Sequence, residues 1–165
     1  MKKCMIFMLL PMLLVLVSSP VWANTSKLNT QEKQLLGKWL CQYDYKGADF
    51  ASRGYYHIEY LADKTYVQHD VAKLTTELFG ETISGMTRYG SNGDWWIEDG
   101  RIYDRPVELF KFEYDPRLGA IPYWAETAQP DGSVYDERIT QLTRTQLITL
   151  QKIDDDEAEM VCQRL

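Results

Sequence analysis

The residues best placed for covalent chemistry are two cysteines near opposite ends of the chain, Cys41 and Cys162; a third, Cys4, lies in an apolar leader. An even pair of cysteines in an exported chain usually forms a disulfide. This one would close a loop of 121 residues and stabilise the fold by roughly 4 to 5 kcal/mol on the chain-entropy model. The sequence therefore predicts a Cys41–Cys162 disulfide, with two buried free thiols as the alternative.

Histidine titrates near neutral pH, and the chain has two, His57 and His69. Both lie in "GYYHIEYLADKTYVQHDV", which predicts a hairpin with Asp63-Lys64 as a two-residue turn. In that register His69 faces inward, where it can hydrogen-bond a ligand, and His57 faces outward. Side chains on opposite faces cannot share a metal ion. A histidine that simply satisfies its hydrogen bonds within the wall is the alternative for His69.

Catalytic and cofactor-binding motifs are missing from the sequence. None of the 24 acidic residues forms a carboxylate pair that spacing singles out. The acidic run at residues 154–157 lacks the ligand spacing and glycine of a calcium loop, and it predicts a charged turn. No G-x-S-x-G, phosphate-binding loop, zinc spacing or dinucleotide fingerprint occurs. We therefore predict no catalytic residue, no metal, no cofactor and no enzymatic activity.

Aromatic residues carry the remaining signal, because tyrosine and tryptophan combine an apolar body with a polar tip. The preferred hairpin register gathers one set of side chains on its inner face, because sliding it by one residue would bury less. Since neighbouring strand residues face opposite ways, one residue of the pair Trp95-Trp96 should enter the core and the other should not. The predicted ligand-binding residues are Tyr56, Ile58, Tyr60, Val67, His69, Trp95 and Trp96.

The first 23 residues predict a signal peptide. Lys2 and Lys3 precede an apolar stretch, and Val21 and Ala23 supply the small residues that signal peptidase reads. The apolar stretch is too short to span a bilayer, although a retained anchor is the alternative. Cleavage after Ala23 would leave one domain, residues 24–165, with a net charge of −8 once the two lysines are subtracted from −6. We predict a periplasmic or secreted protein that binds neither nucleic acid nor membranes after cleavage, because an acidic surface repels both.

Hydrophobic periodicity predicts the elements that carry these residues. "NTQEKQLLG" predicts a short helix capped by Asn29 or Thr30, with Glu32 completing a capping box. From Lys38 onward the period is two, which predicts about eight to ten short strands. Residues 72–85 are ambiguous and could form one short helix between strands. Tight turns are predicted at Asn92-Gly93 and Asp99-Gly100. This pattern is typical of an all-β antiparallel barrel or sandwich, and the disulfide favours the barrel.

The segment "GKW" resembles the signature of the lipocalins and the wider calycin group, which includes the avidins. Gly37 and Trp39 follow a short helical turn and open the first strand, as that signature does. The resemblance implies a small barrel closed at one end by Trp39, with Arg164 packed over it. The tail "ITQLTRTQLITLQ" is similar to the closing hairpins of lipocalin-like domains in exported bacterial proteins.

Two functions follow from this reading. The first is an exported binding module that holds a small apolar or amphipathic ligand inside the barrel. The second is a periplasmic protein-interaction module, either an envelope assembly factor or an inhibitor of a basic enzyme such as lysozyme. Small exported lysozyme inhibitors share this size and an early cysteine strand like "LCQYDYKG", and a basic partner would suit the acidic chain.

Overall fold

The computed structural model describes residues 27–47, 50–78, 80–121, 130–153 and 155–165. The predicted leader and its cleavage point lie outside these residues. Within the described ranges, no helix is both long enough and apolar enough to cross a membrane.

A short helix of six residues, α1 (Thr30–Leu35), precedes the first strand. The Asn29 side chain accepts a hydrogen bond from the Glu32 backbone N–H at 2.9 Å, and the Glu32 carboxylate accepts one from the Asn29 N–H at 2.8 Å. This is the predicted capping box, which satisfies two donors that the helix itself leaves free. The helix ends at Leu36, and Gly37 opens the first strand with a φ of 108°.

Eight antiparallel strands form a closed barrel, in which each strand pairs with the next and the last pairs with the first. The predicted all-β barrel is therefore confirmed. The strands are β1 (Gly37–Lys46), β2 (Phe50–Tyr60), β3 (Thr65–Leu78), β4 (Glu81–Glu98), β5 (Arg101–Tyr114), β6 (Tyr135–Leu142), β7 (Gln146–Ile153) and β8 (Asp156–Arg164).

The disulfide lies where the barrel closes. Cys41 on β1 and Cys162 on β8 are direct register partners, and their sulfurs are bonded. Both side chains are buried in the core. The predicted crosslink between the first and last strands is confirmed.

The predicted register of the β2–β3 hairpin is wrong by one residue. Tyr60 pairs with Tyr66, and Tyr56 pairs with Asp70. The loop spans residues 61–64 instead of two residues, because Lys64 adopts a φ of 71° and its N–H bonds to the Leu61 carbonyl. The observed register turns Tyr66 and the later residues Ala72 and Leu74 inward, and all three are buried. Burial along the whole length of β3 therefore outweighs the cost of an inward-facing acid.

Two other local predictions also need correction. Residues 72–78 and 80–85 form no α-helix, because β3 and β4 pair along fourteen residues on either side of a turn that includes Gly80, whose φ is 81°. Asn92-Gly93 lies within β4 at a register irregularity. A Cβ on Gly93 would stand 2.1 Å from the Arg105 carbonyl oxygen, so this glycine permits close approach of two strands. The helix between strands is instead a 3₁₀ helix (Pro116–Ala120).

The remaining turns agree with the sequence. Asp99-Gly100 joins β4 to β5 with positive φ at both residues, as that dipeptide predicts. The connection between β6 and β7 includes Arg144-Thr145. Of the acidic run, Asp155 lies in the β7–β8 turn, Asp156 and Glu157 open β8, and Asp154 lies outside the described residues.

Candidate functional site in the barrel interior

One end of the barrel is sealed by Trp39, whose side chain is completely buried. Its indole N–H donates to the Leu35 carbonyl at 2.7 Å, which ties the ring to the end of α1. The Arg164 guanidinium lies 4.2 Å from the ring centroid and donates to the backbone carbonyls of Gln34 and Leu36. Glycine occupies position 37 because its φ of 108° would strain any other residue. The predicted Trp39–Arg164 packing is confirmed.

A second cation–aromatic pair lies at the same end. Lys64 is 4.9 Å from the centroid of the buried Trp95 ring and forms an ion pair with Glu32 of α1. Burial alone would raise the pKa of Glu32, but the bonds from Lys64 and Asn29 hold it below its ordinary value. The Trp95 ring also packs edge-on against Tyr60, at 5.3 Å between centroids. The helix and these pairs fill and close this end of the barrel.

The rest of the interior encloses a cavity of about 720 Å³. It extends from the middle of the barrel, at Tyr56 and Ile58, towards the end that carries the β1–β2 and β7–β8 turns. Its described walls consist largely of apolar and aromatic side chains with a few polar groups. The aromatic ones are Tyr43, Tyr45, Phe50, Tyr56, Tyr66, Tyr89, Phe112 and Tyr135.

Three carboxylates face this cavity: Asp70 on β3, Asp104 on β5 and Glu137 on β6. Asp70 accepts a hydrogen bond from the Tyr43 hydroxyl at 3.2 Å. Burial raises the pKa of the Asp70 carboxyl to about 6, although the Tyr43 bond acts in the opposite direction. Desolvation therefore outweighs this one neutral donor.

Asp104 and Glu137 lie on adjacent strands. Glu137 accepts a hydrogen bond from the Thr149 hydroxyl at 2.7 Å, yet burial still raises its pKa. Burial raises the pKa of Asp104 well above its ordinary value, and the charge of Glu137 adds to that effect. The Oδ1 atom of Asp104 is buried and has no hydrogen-bond partner among the described residues. An orphaned acceptor of this kind is uncommon in folded proteins.

The tyrosines bring phenol rings and hydroxyls close to the acids. Burial raises the pKa of Tyr56 well above its ordinary value, and the charges of Glu137, Asp104 and Asp70 raise it further. Its hydroxyl therefore stays neutral, and Tyr56 lines the same cavity as the three carboxyl groups. Tyr66 and Tyr89 show the same effect of burial, with Asp104 contributing to both.

Only part of the predicted ligand-binding set lines this cavity. Tyr56 and Ile58 do. Tyr60 and Trp95 face inward but belong to the packed core near the sealed end. Tyr66 takes the inward position that the wrong register gave to Val67.

Val67 and His69 lie on the outer face of β3, which contradicts the prediction that they line the interior. His69 is exposed, pairs in register with His57, and packs against Phe110 with 5.3 Å between ring centroids. The two histidines thus share one face instead of lying on opposite ones. Within the described ranges, no cluster of three or more histidine, cysteine or acidic side chains could hold a metal ion.

The Trp95-Trp96 pair divides as predicted. Trp95 is 1% exposed and points into the core. Trp96 lies half-buried on the outer face and stacks on Tyr103, with 5.3 Å between centroids and 8° between planes. Trp96 is therefore placed away from the cavity.

Asp70, Asp104 and Glu137 are not among the site residues predicted from the sequence. A signal for two of them is present: Asp104 lies two residues after Ile102, and Glu137 lies two residues before Ile139, so each acid shares a strand face with an inward isoleucine. Asp70 was placed outward because burying it counted against the observed register. An acid in phase with the apolar face of a strand is thus the pattern that finds these residues.

Comparison with known proteins adds little beyond the fold. No protein-family model and no curated protein matches the chain. Among solved structures, a lipocalin-like protein from Bacteroides uniformis aligns over 80% of this chain and 99% of its own, at 14% identity and a TM-score of 0.38. Those values are too low to carry an argument. The closed eight-stranded barrel, the helix before β1 and the Arg164-covered Trp39 are observed directly, and they are the fold features that the resemblance to lipocalins implies.

Proposed function

We propose that the protein is an exported binding protein that holds a small amphipathic ligand inside its barrel. The observation that supports this is the cavity of about 720 Å³. Ligand sites typically enclose about 300 to 1,000 Å³ and combine apolar walls with a few placed polar groups. An eight-stranded barrel is just wide enough for one small ligand.

Export is part of the proposal, and the disulfide is what supports it. Such bonds persist mainly outside the reducing cytosol. Carboxyl groups and neutral phenols dominate the polar part of the cavity wall, and both kinds of group suit recognition of a ligand. The second function suggested by the sequence is interaction with a basic protein. It is supported by the negative net charge of the chain and stays a prediction.

Filling the cavity tests the proposal. Ala72 is buried on the inner face of β3, and its neighbour Val71 lies on the outer face. Replacing Ala72 with phenylalanine should weaken binding of N-phenyl-1-naphthylamine, an uncharged fluorescent dye, by about tenfold or more, because the new ring occupies space that the dye needs. Fluorescence titration of the purified protein measures this change.

The matched control is Val71→Phe, which adds a ring to the outside of the same strand and should leave dye affinity within about twofold. Ala158→Phe offers a second cavity-filling variant on β8 in case Ala72→Phe does not fold. Circular dichroism and the intact disulfide establish folding. Saturable dye binding that neither folded cavity variant weakens, or no binding to the unaltered protein, would contradict the proposal.

A further inference from the structure

The cavity wall is acidic, and burial keeps its carboxyl groups protonated to a higher pH than usual when no cation is present. Three carboxyl groups face it, whereas its described lining contains no lysine, arginine or histidine. The basic residues near them pair elsewhere: Arg101 with Asp136, and Arg105 with Asp94. A buried carboxylate needs a cation or several donors to be stable. The cavity is therefore electrostatically complementary to a positively charged ligand.

Asp104 supplies an independent observation. Its buried Oδ1 atom lies on the cavity wall and lacks a donor among the described residues. Asp70 and Glu137, by contrast, each accept a hydroxyl hydrogen bond from the protein, from Tyr43 and Thr149 respectively. A buried acceptor that is left unpaired destabilises the folded protein. A donor brought in by a ligand would remove that destabilisation.

The shape of the site favours an organic cation over a metal ion. The described carboxyl groups do not come together closely enough to form a metal cluster. They are instead distributed over β3, β5 and β6 around a cavity much larger than an ion. Tyrosine rings line the same cavity, and the face of an aromatic ring attracts a cationic group.

We propose that the ligand is a small organic amine, bound as its ammonium cation, whose charged end lies between Asp104 and Glu137. Its N–H groups donate to the free Oδ1 of Asp104, and its apolar body lies against Tyr56, Ile58 and Met160. This inference rests on the proposed binding function and specifies the chemical class of the ligand.

Two probes that differ only in charge test the inference. 3-Phenylpropan-1-amine is an ammonium ion at pH 7.5, and 3-phenylpropan-1-ol is neutral and nearly the same shape. The amine should bind at least about tenfold more tightly, because it alone adds the attraction of opposite charges to the hydrogen bond with the carboxylate. Isothermal titration calorimetry measures both directly, and displacement of the uncharged dye confirms that they share its site.

Asp104→Asn should reduce the preference for the amine to about threefold or less while the alcohol and the dye bind as before. The control is Glu98→Gln, which removes the same charge from an exposed residue at the sealed end and should preserve the preference. Glu137→Gln is a second test if Asp104→Asn does not fold. Equal binding of amine and alcohol by the unaltered protein would overturn the cation inference alone. Failure of the dye, the amine and the alcohol to bind would overturn the proposed function as well.

Discussion

Asp104 shows how one residue can lower stability in order to serve a site. An apolar side chain at its position would leave no polar atom unpaired, whereas the Oδ1 atom of Asp104 is buried and has no donor among the described residues. Functional sites are where such local conflicts are retained. The same carboxyl group should therefore control how the stability of the empty protein depends on pH.

The free energy of unfolding should fall as the pH rises from about 4 to 8. Burial raises the pKa of Asp104, and that of Asp70 to about 6, so the folded protein keeps protons that the unfolded chain releases. A group whose pKa is raised in the folded protein stabilises it fully at a pH below the pKa of that group in the unfolded chain. This stabilisation is lost as the pH rises through the pKa of the group in the folded protein. Urea unfolding at several pH values measures this trend.

Asp104→Asn isolates the contribution of one carboxyl group. The free energy of unfolding of the variant should equal that of the unaltered protein near pH 4. At pH 8 it should be higher by about 1 to 3 kcal/mol, the usual cost of an unsatisfied buried polar group. Glu98→Gln removes an exposed charge and serves as the reference. If both variants follow the same pH curve as the unaltered protein, Asp104 is not the cause.

At the level of single residues, sequence reasoning found Tyr56 and Ile58 but missed the acids. It treated each acidic residue as a surface residue unless a pair was evident, and that rule fails where the inner wall of a barrel is polar. The placement of Val67 and His69 followed from the register, so one wrong turn length moved both to the outside. Alternation supplies the spacing of a strand face, but only packing decides which face is inner.

Among the structural elements, the contact between α1 and the start of β1 organises the sealed end. The Trp39 indole N–H donates to a backbone carbonyl of the helix, and the Arg164 guanidinium packs on its ring. The helix, β1 and β8 therefore meet at this one side chain. This packing depends on local sequence that is easy to recognise, which is why the helix, its cap and the Gly37–Trp39 pair were predicted correctly.

Trp39→Ala should lower the free energy of unfolding by about 3 to 5 kcal/mol, because it leaves a large void in a fully packed end. Trp96→Ala is the matched control, since that ring lies half-buried outside the barrel and stacks on one neighbour. It should cost about 1 kcal/mol, the order of an aromatic pair. Chemical denaturation measures both, and equal losses would contradict the role of Trp39 as a plug.

Elements with strong local signals were predictable and those set by tertiary pairing were not. Asp99-Gly100 turns because both residues adopt positive φ, as that dipeptide allows. Asn92-Gly93 carries the same signal but continues as a strand, because the long pairing of β4 with β3 outweighs its turn preference. Likewise, residues 72–85 have apolar spacing that suits a helix, and only their fourteen-residue ladder makes them strands.

For the whole molecule, the disulfide restrains the unfolded chain more than it shapes the folded one. β1 and β8 already pair over residues 39–43 and 160–164, and the sulfurs join the central pair of that ladder. The crosslink closes almost the whole described barrel into one covalent loop. Its removal should therefore act mainly on the entropy of unfolding.

The double variant Cys41→Ser/Cys162→Ser should be less stable by about 4 to 5 kcal/mol, the value expected for a loop of 121 residues. Urea unfolding compares the variant with the oxidised protein. A reducing agent should destabilise the unaltered protein and leave the variant unchanged. Similar midpoints for oxidised protein and variant would show that the loop-entropy account does not apply here.

The position of this bond also determines how the protein would respond to mechanical force. Tension applied between Leu28 and Leu165 would run along the first few residues of β1, across the two sulfurs and out through the last residues of β8. Strands β2 to β7 would carry none of it, so stretching could peel only the two chain ends. Breaking the sulfur bond would release 121 residues into the line of force, an extension of roughly 400 Å. In the oxidised protein, therefore, the disulfide protects most of the barrel from unfolding under force.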